Sequence, residues 1–302
     1  MDRRQFLVGI TSCLAAAHLK ARTLPDQQLP LWPNGPPGGG GPQGPLRVSS
    51  SGAISHIRVP MLTCIAPETS NGYGVLVAAG GGYRHIEMRK EAWPAAKWLV
   101  QGGFTAYILT YRLPGEGWHD GSRVALQDAQ RALRIIHSQH TRCGVLGFSA
   151  GGHLLGMAVN RPNYTSYAPQ DSLDRLPATA ERAALIYPII TLDPPYTHTS
   201  THKLLVGPRG NLAQDNHWSV QNFVTPQSPP FFLVQAEDDP VSNPQNTLIM
   251  QQACLRAGVP VELLRYPTGG HGFALGRPGT ETVQWPAHYQ QWLQEWVNNR
   301  SR

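Results

Sequence analysis

Gly147-Phe148-Ser149-Ala150-Gly151 sets a serine midway between two glycines. A serine hydroxyl is a poor nucleophile at neutral pH, so it becomes reactive only where the chain exposes it and a base serves it. Glycines two positions to either side allow a sharp strand-to-helix turn with the hydroxyl at its apex. Attack on a carbonyl carbon drives negative charge onto its oxygen, and that charge needs hydrogen-bond donors already aimed at it. The run Ala79-Gly80-Gly81-Gly82-Tyr83 follows a wholly apolar segment, and its glycines free the backbone N-H groups to turn toward a ligand. Among the 12 histidines, His271 of Gly269-Gly270-His271-Gly272-Phe273 sits in a glycine-flanked loop directly after a late apolar segment, the place for a mobile base. His153, four residues past Ser149, reads as a structural hydrogen-bonding residue. An orienting carboxylate is available in Ala236-Glu237-Asp238-Asp239-Pro240-Val241, where Glu237, Asp238 and Asp239 compete.

These residues need elements to hold them. Past residue 46, short apolar runs alternate with longer amphipathic ones, the pattern of a mostly parallel sheet with helices on both faces. Strands are expected at 54–59, 61–66, 74–79, 105–110, 144–146, 183–190, 231–235 and 261–266. Helices are expected at 91–101, 123–139, 151–159, 246–257 and 281–298. The 74–79 segment is apolar throughout, as suits a sheet centre buried on both sides. In 123–139, Val124, Leu126, Ala129, Leu133 and Ile136 recur at helical spacing and give one core face. The 191–230 segment loses this pattern, and a loop so long reads as a possible lid or pocket wall. No internal repeat is visible.

A chain of 302 residues with few charges and many apolar residues is that of a globular protein with a sizeable core. The formal charge of +6 prompts a search for a nucleic-acid surface, but Arg3, Arg4 and Lys20 lie in the leader and no later Lys/Arg run exceeds a pair. No nucleic-acid partner is expected. Residues 1–21 read as an export signal, with Arg3-Arg4 ahead of an apolar stretch too short and Ala-rich to span a bilayer. Asp2-Arg3-Arg4-Gln5-Phe6-Leu7 is twin-arginine-like, with general secretion as the alternative route. The expectation is an exported, periplasmic or secreted bacterial protein with no membrane span in its mature form. Ile10-Thr11-Ser12-Cys13 also fits a lipobox, although cleavage past the small residues is favoured over lipid anchoring at Cys13. Cys64, Cys143 and Cys254 form no even framework and read as isolated buried thiols. Residues 22–45, rich in Pro and Gly, read as an extended arm, leaving 46–302 as the catalytic domain.

Taken in order, Gly80-Gly81-Gly82-Tyr83, the run from Gly147 to His153, Asp238-Asp239-Pro240-Val241 and His271-Gly272-Phe273 resemble the α/β-hydrolase superfamily. Within it, the chain resembles bacterial acetyl xylan esterase-like and feruloyl esterase-like proteins from about Leu31-Trp32-Pro33 to the C-terminal helix. The resemblance implies Ser149 as nucleophile, His271 as base and Asp239 as acid, because Val241 two residues on matches the Asp-x-Val loops of related hydrolases; Asp238 stands second. It also implies an oxyanion hole of the Gly81, Gly82 and Ala150 N-H groups. Ala79 departs from the His that many lipases and esterases have at that point. The implied activity is a serine esterase removing acetyl or another small acyl group from carbohydrate, with no cofactor. Serine peptidase, broad carboxylesterase and a non-catalytic binding protein of the same fold are the alternatives. Tyr83, Trp118 and Trp218 are candidate substrate contacts, with packing as the competing role for each. His198 and His202 have metal-ligand spacing on a helix, but no third ligand is evident, so no metal site is expected.

Overall fold

Short apolar segments that bury both faces form the centre of a sheet, and the amphipathic segments between them become its covering helices. In a computed structural model describing residues 26–298, Gln27–Pro30 (β1), Arg47–Val48 (β2), Ile54–Ser55 (β3), Met61–Ile65 (β4) and Tyr73–Ala78 (β5) lead to the first helix, Trp93–Gln101 (α1). Thr105–Thr110 (β6), Val124–His137 (α2), Arg142–Phe148 (β7), Ala150–Asn160 (α3) and Arg182–Ile186 (β8) follow. Two short helices, Ser200–Leu205 (α4) and Leu212–Trp218 (α5), precede Phe231–Ala236 (β9), Gln245–Ala257 (α6), Val261–Tyr266 (β10) and Trp285–Asn298 (α7).

Eight strands form one sheet in the order β1-β4-β6-β5-β7-β8-β9-β10. The β1 to β4 and β4 to β6 pairings are antiparallel, and the rest are parallel. Every residue of β5 and of β9 is buried, as a sheet covered on both sides requires. Two glycines locate the covering layers. A Cβ at Gly74 would meet Ile136 of α2, and one at Gly144 would meet the Trp296 ring of α7. Gly74 is in register with Cys143, the neighbour of Gly144, so the two glycines point to opposite faces. On the α7 side, Trp98 of α1 stacks on Tyr289 at 5.6 Å, which accounts for Trp98 by packing. Among the described residues no helix is long and apolar enough to cross a membrane, and Cys64, Cys143 and Cys254 are free thiols.

The arm departs from the expectation of a linker. Residues 27–30 are the edge strand of the sheet, Leu31 and Trp32 are buried, and the Trp32 indole N-H donates to Asp128 at 2.7 Å. An edge strand pairs on one side only and tolerates the Pro at its end, so four residues suffice and show little period. Arg112 completes the anchor: its guanidinium donates to Asp128 at 2.8 and 3.0 Å and to the Pro37 carbonyl at 2.9 Å. Fold boundaries therefore lie before 46. The 54–59 strand shrinks to β3, paired with β2 apart from the main sheet. The 183–190 strand stops at Ile186 because Tyr187 turns to φ +39°. The 144–146 strand grows to the seven residues of β7. The export signal, with Arg3, Arg4 and Cys13, lies outside the described residues.

Candidate active site

Ser149 stands between the last residue of β7 and the first of α3, at φ +49° and ψ −117°. A left-handed φ is costly for a residue with a side chain, and here the neighbours impose it. A Cβ at Gly147 would fall 2.6 Å from the Gly151 carbonyl oxygen, and one at Gly151 would fall 2.2 Å from that of Ala78. Only glycine allows the turn to fold this tightly against β5. Ser149 Oγ lies 2.9 Å from His271 Nε2, and His271 Nδ1 lies 2.8 Å from Asp239 Oδ2. The carboxylate can only accept, so Nδ1 carries the ring proton and leaves Nε2 to receive the serine proton.

Asp239 is fixed on every side. Its Oδ1 accepts the N-H groups of Val241 at 2.8 Å and Ser242 at 2.9 Å, and its Oδ2 also accepts from Gln235 at 3.1 Å. The two rival carboxylates face elsewhere. Asp238 accepts the Gly270 N-H at 2.6 Å, bracing the loop that carries His271, and Glu237 pairs with Arg265 at the surface.

Beyond β5 the chain enters the glycine run. Gly81 and Gly82 adopt φ +122° and +61°, and both line a cavity of about 270 Å³ with Ser149 and His271. Gly82 passes so close to the 191–230 segment that a Cβ there would meet Ser200 Oγ at 1.9 Å. The Ala150 N-H opens α3, and first-turn N-H groups have no partner within their own helix. Backbone of the glycine run and the N-terminal end of α3 thus both border Ser149.

Glu91 was not singled out by its sequence context, which reads as the start of an amphipathic helix. It belongs instead to a wide turn, Met88–Ala92, wound ahead of α1. Its carboxyl is buried beneath the glycine loop, where it accepts the Gly80 N-H at 2.6 Å and the Tyr187 hydroxyl at 2.9 Å. Burial raises its pKa, against the opposing pull of those two donors and of His271. The 191–230 segment contributes Thr199, Ser200 and Thr201 to the cavity wall. These contacts join residues far apart in sequence and carry no motif.

Tyr83, Trp118 and Trp218 lie outside this cavity, which corrects their expected role as substrate contacts. Tyr83 is buried and its hydroxyl donates to His153 Nδ1 at 2.9 Å, while His153 Nε2 donates to the Trp218 carbonyl at 2.7 Å. Two of the three aromatics are therefore joined through a core histidine, whose burial depresses its pKa to about 4. Trp118 is buried against the Arg112 guanidinium at 5.1 Å. Large aromatics have more core area to gain than a rim offers, and packing prevails for all three. His202 pairs with Asp215 at 2.8 Å, and no group of three or more metal-ligating side chains occurs among the described residues. A roomier apolar groove of about 1150 Å³, walled by Leu46, Val48 and Trp93, shares no lining residue with the Ser149 cavity.

Comparisons with known proteins bear on the fold. Residues 190–300 match the prolyl oligopeptidase family. The chain is 27% identical over 248 residues to an acetylxylan esterase of Xylanibacter ruminicola, covering 78% of this chain and 47% of that protein. It thus spans about half the length of that curated relative. Among solved structures, an acetyl ester-xyloside bifunctional hydrolase from Caldicellulosiruptor lactoaceticus superposes with a TM-score of 0.72 at 27% identity, over 89% of this chain and 96% of that one. A carboxylesterase from Lactobacillus plantarum shares the fold, with a TM-score of 0.62 at 24% identity over 84% and 98% of the two chains. Sheet order, serine turn and these likenesses together give this chain the α/β-hydrolase fold.

Proposed function

We propose that this protein hydrolyses acetyl and other small acyl esters carried on carbohydrate, through an acyl-enzyme on Ser149. The hydrogen-bonded sequence Ser149, His271, Asp239 at the wall of a cavity shared with Gly81 and Gly82 carries the reading. Ser149 Oγ attacks the ester carbon as His271 Nε2 takes its proton, and Asp239 stabilises the imidazolium that forms. The N-H groups of Gly81, Gly82 and Ala150 receive the oxyanion. His271 then returns the proton to the departing alcohol, leaving the acyl group on Ser149. Water, deprotonated by the same histidine, attacks that ester and releases the acid.

Cavity size supports a small acyl group: about 270 Å³ holds an acetyl and part of a sugar ring, whereas an extended peptide needs a longer groove. The match to the prolyl oligopeptidase family covers the part with Asp239 and His271, machinery that peptidases and esterases share. Carbohydrate as the alcohol follows from the likeness to the acetylxylan esterase and the acetyl ester-xyloside hydrolase. A panel of acetylated xylo-oligosaccharides, feruloyl esters and peptide anilides tests the assignment. Acetate release is expected to exceed the other two rates in kcat/KM; faster anilide cleavage would transfer the chain to the peptidases. Export remains part of the proposal on the residues of the 1–21 segment alone.

A further inference from the structure

We propose that Glu91 is a positioning residue that locks the oxyanion loop to the histidine loop through Tyr187, so that one buried carboxylate sets both halves of the catalytic site. The inference rests on the esterase reading above. The protons in this network run in one direction. The Ala274 N-H, three residues past His271, donates to the Tyr187 hydroxyl oxygen at 3.0 Å, and that hydroxyl donates its own proton to Glu91 Oε1 at 2.9 Å. Glu91 Oε2 takes the Gly80 N-H at 2.6 Å. Both carboxylate oxygens are occupied by donors from segments 11 and 96 residues away in sequence.

Each contact bears on the reacting atoms. Gly80 packs against the serine itself, since a Cβ there would lie 2.8 Å from Ser149 Cβ. Tyr187 sets its ring edge-on to His271 at 5.1 Å between centroids and against Phe273 at 4.4 Å. A carboxyl with 3% exposure is expensive to bury, and a packed apolar side chain would serve stability as well or better. Glu91 is therefore explained by what it aligns: the Gly81 and Gly82 N-H groups on one side and the imidazole on the other.

The test uses Glu91→Gln, Tyr187→Phe and the double variant in the full chain, with Ser149→Ala as control and p-nitrophenyl acetate as substrate. A glutamine keeps the shape but presents an NH2 to one of two donors, so one bond is lost. Either single change is expected to lower kcat about 10- to 100-fold, short of the roughly 10²–10³-fold that loss of an oxyanion donor itself costs. KM is expected to stay within about threefold, because the contacts act on alignment. The double variant should be no slower than the worse single one, since both break the same network. Circular dichroism and Tm establish that each variant is folded, and Tyr187→Phe, which keeps its ring, provides the test if Glu91→Gln is not. Wild-type kcat in the folded variants, or losses that add up in the double variant, overturns the inference. Turnover surviving in Ser149→Ala overturns the esterase reading instead, so the two failures are distinct.

Discussion

Replacing Asp239 by Asn separates an orienting acid from a mere acceptor, and the contacts of Asp239 fix the outcome. Val241 and Ser242 both donate to Oδ1, so the asparagine carbonyl oxygen takes that place and its NH2 falls where Oδ2 faces His271 Nδ1. Two donors cannot share that 2.8 Å contact. The imidazole must then give up its Nδ1 proton and carry it on Nε2, where it can no longer receive the serine proton. Loss of the base with the site otherwise intact is worth roughly 10³- to 10⁴-fold in kcat, or about 4 to 5.5 kcal/mol of barrier. Asp238→Asn is the matched control. Its Oδ1 accepts a single N-H from Gly270, which an amide oxygen also does, so kcat should stay within about threefold of wild type. Steady-state turnover of p-nitrophenyl acetate, with Tm as the folding check, measures both. A D239N variant within about tenfold of wild type, or a D238N variant that falls further than D239N, refutes the assignment of the acid.

Three further outcomes follow from contacts elsewhere. Gly82→Ala forces a methyl group into Ser200 Oγ at φ +61° and should lower kcat at least about tenfold, with partial recovery in the Gly82→Ala, Ser200→Ala double variant if crowding is the cause. Asp128→Ala strands the fully buried Arg112 guanidinium and frees Trp32, so urea unfolding should report a loss of about 3 to 5 kcal/mol. His153 is held neutral by burial, with its pKa near 4 against 6.5 for the free side chain. As pH falls through 6.5 the unfolded chain takes up a proton that the folded one refuses, so stability falls until about pH 4 and levels off below it. Between pH 6.5 and 5 that term is about 2 kcal/mol, visible as a pH slope in urea midpoints that His153→Gln should flatten.

What the sequence revealed and what it concealed have separate physical causes. The serine turn was legible because Gly147 and Gly151 answer a local need, the absence of a Cβ against adjacent backbone. His271 and the acidic loop were legible because each follows an apolar strand directly. The choice between Asp238 and Asp239 turned on resemblance, since adjacent carboxylates differ only in which way the loop points them. Glu91 and Tyr187 were hidden: a glutamate near a helix start and a tyrosine inside an expected strand have ordinary explanations, and their partnership spans 96 residues. Tyr83 and Trp218 misled because aromatic residues near a site suggest contact with substrate, whereas His153 draws both into the core. The arm misled by composition, its anchoring by Trp32 and Arg112 being a long-range event.

In the proposed mechanism Ser149 carries the acyl group between two half-reactions. Rapid quenching of the wild-type protein during turnover of an acetylated xylo-oligosaccharide, followed by peptide mass spectrometry, tests it most directly. An acetyl adduct is expected on the peptide containing Ser149, formed before steady-state acetate release and missing from Ser149→Ala, which should release no acetate above background. Acetate release at the wild-type rate by Ser149→Ala, or an adduct on any other side chain, would contradict it.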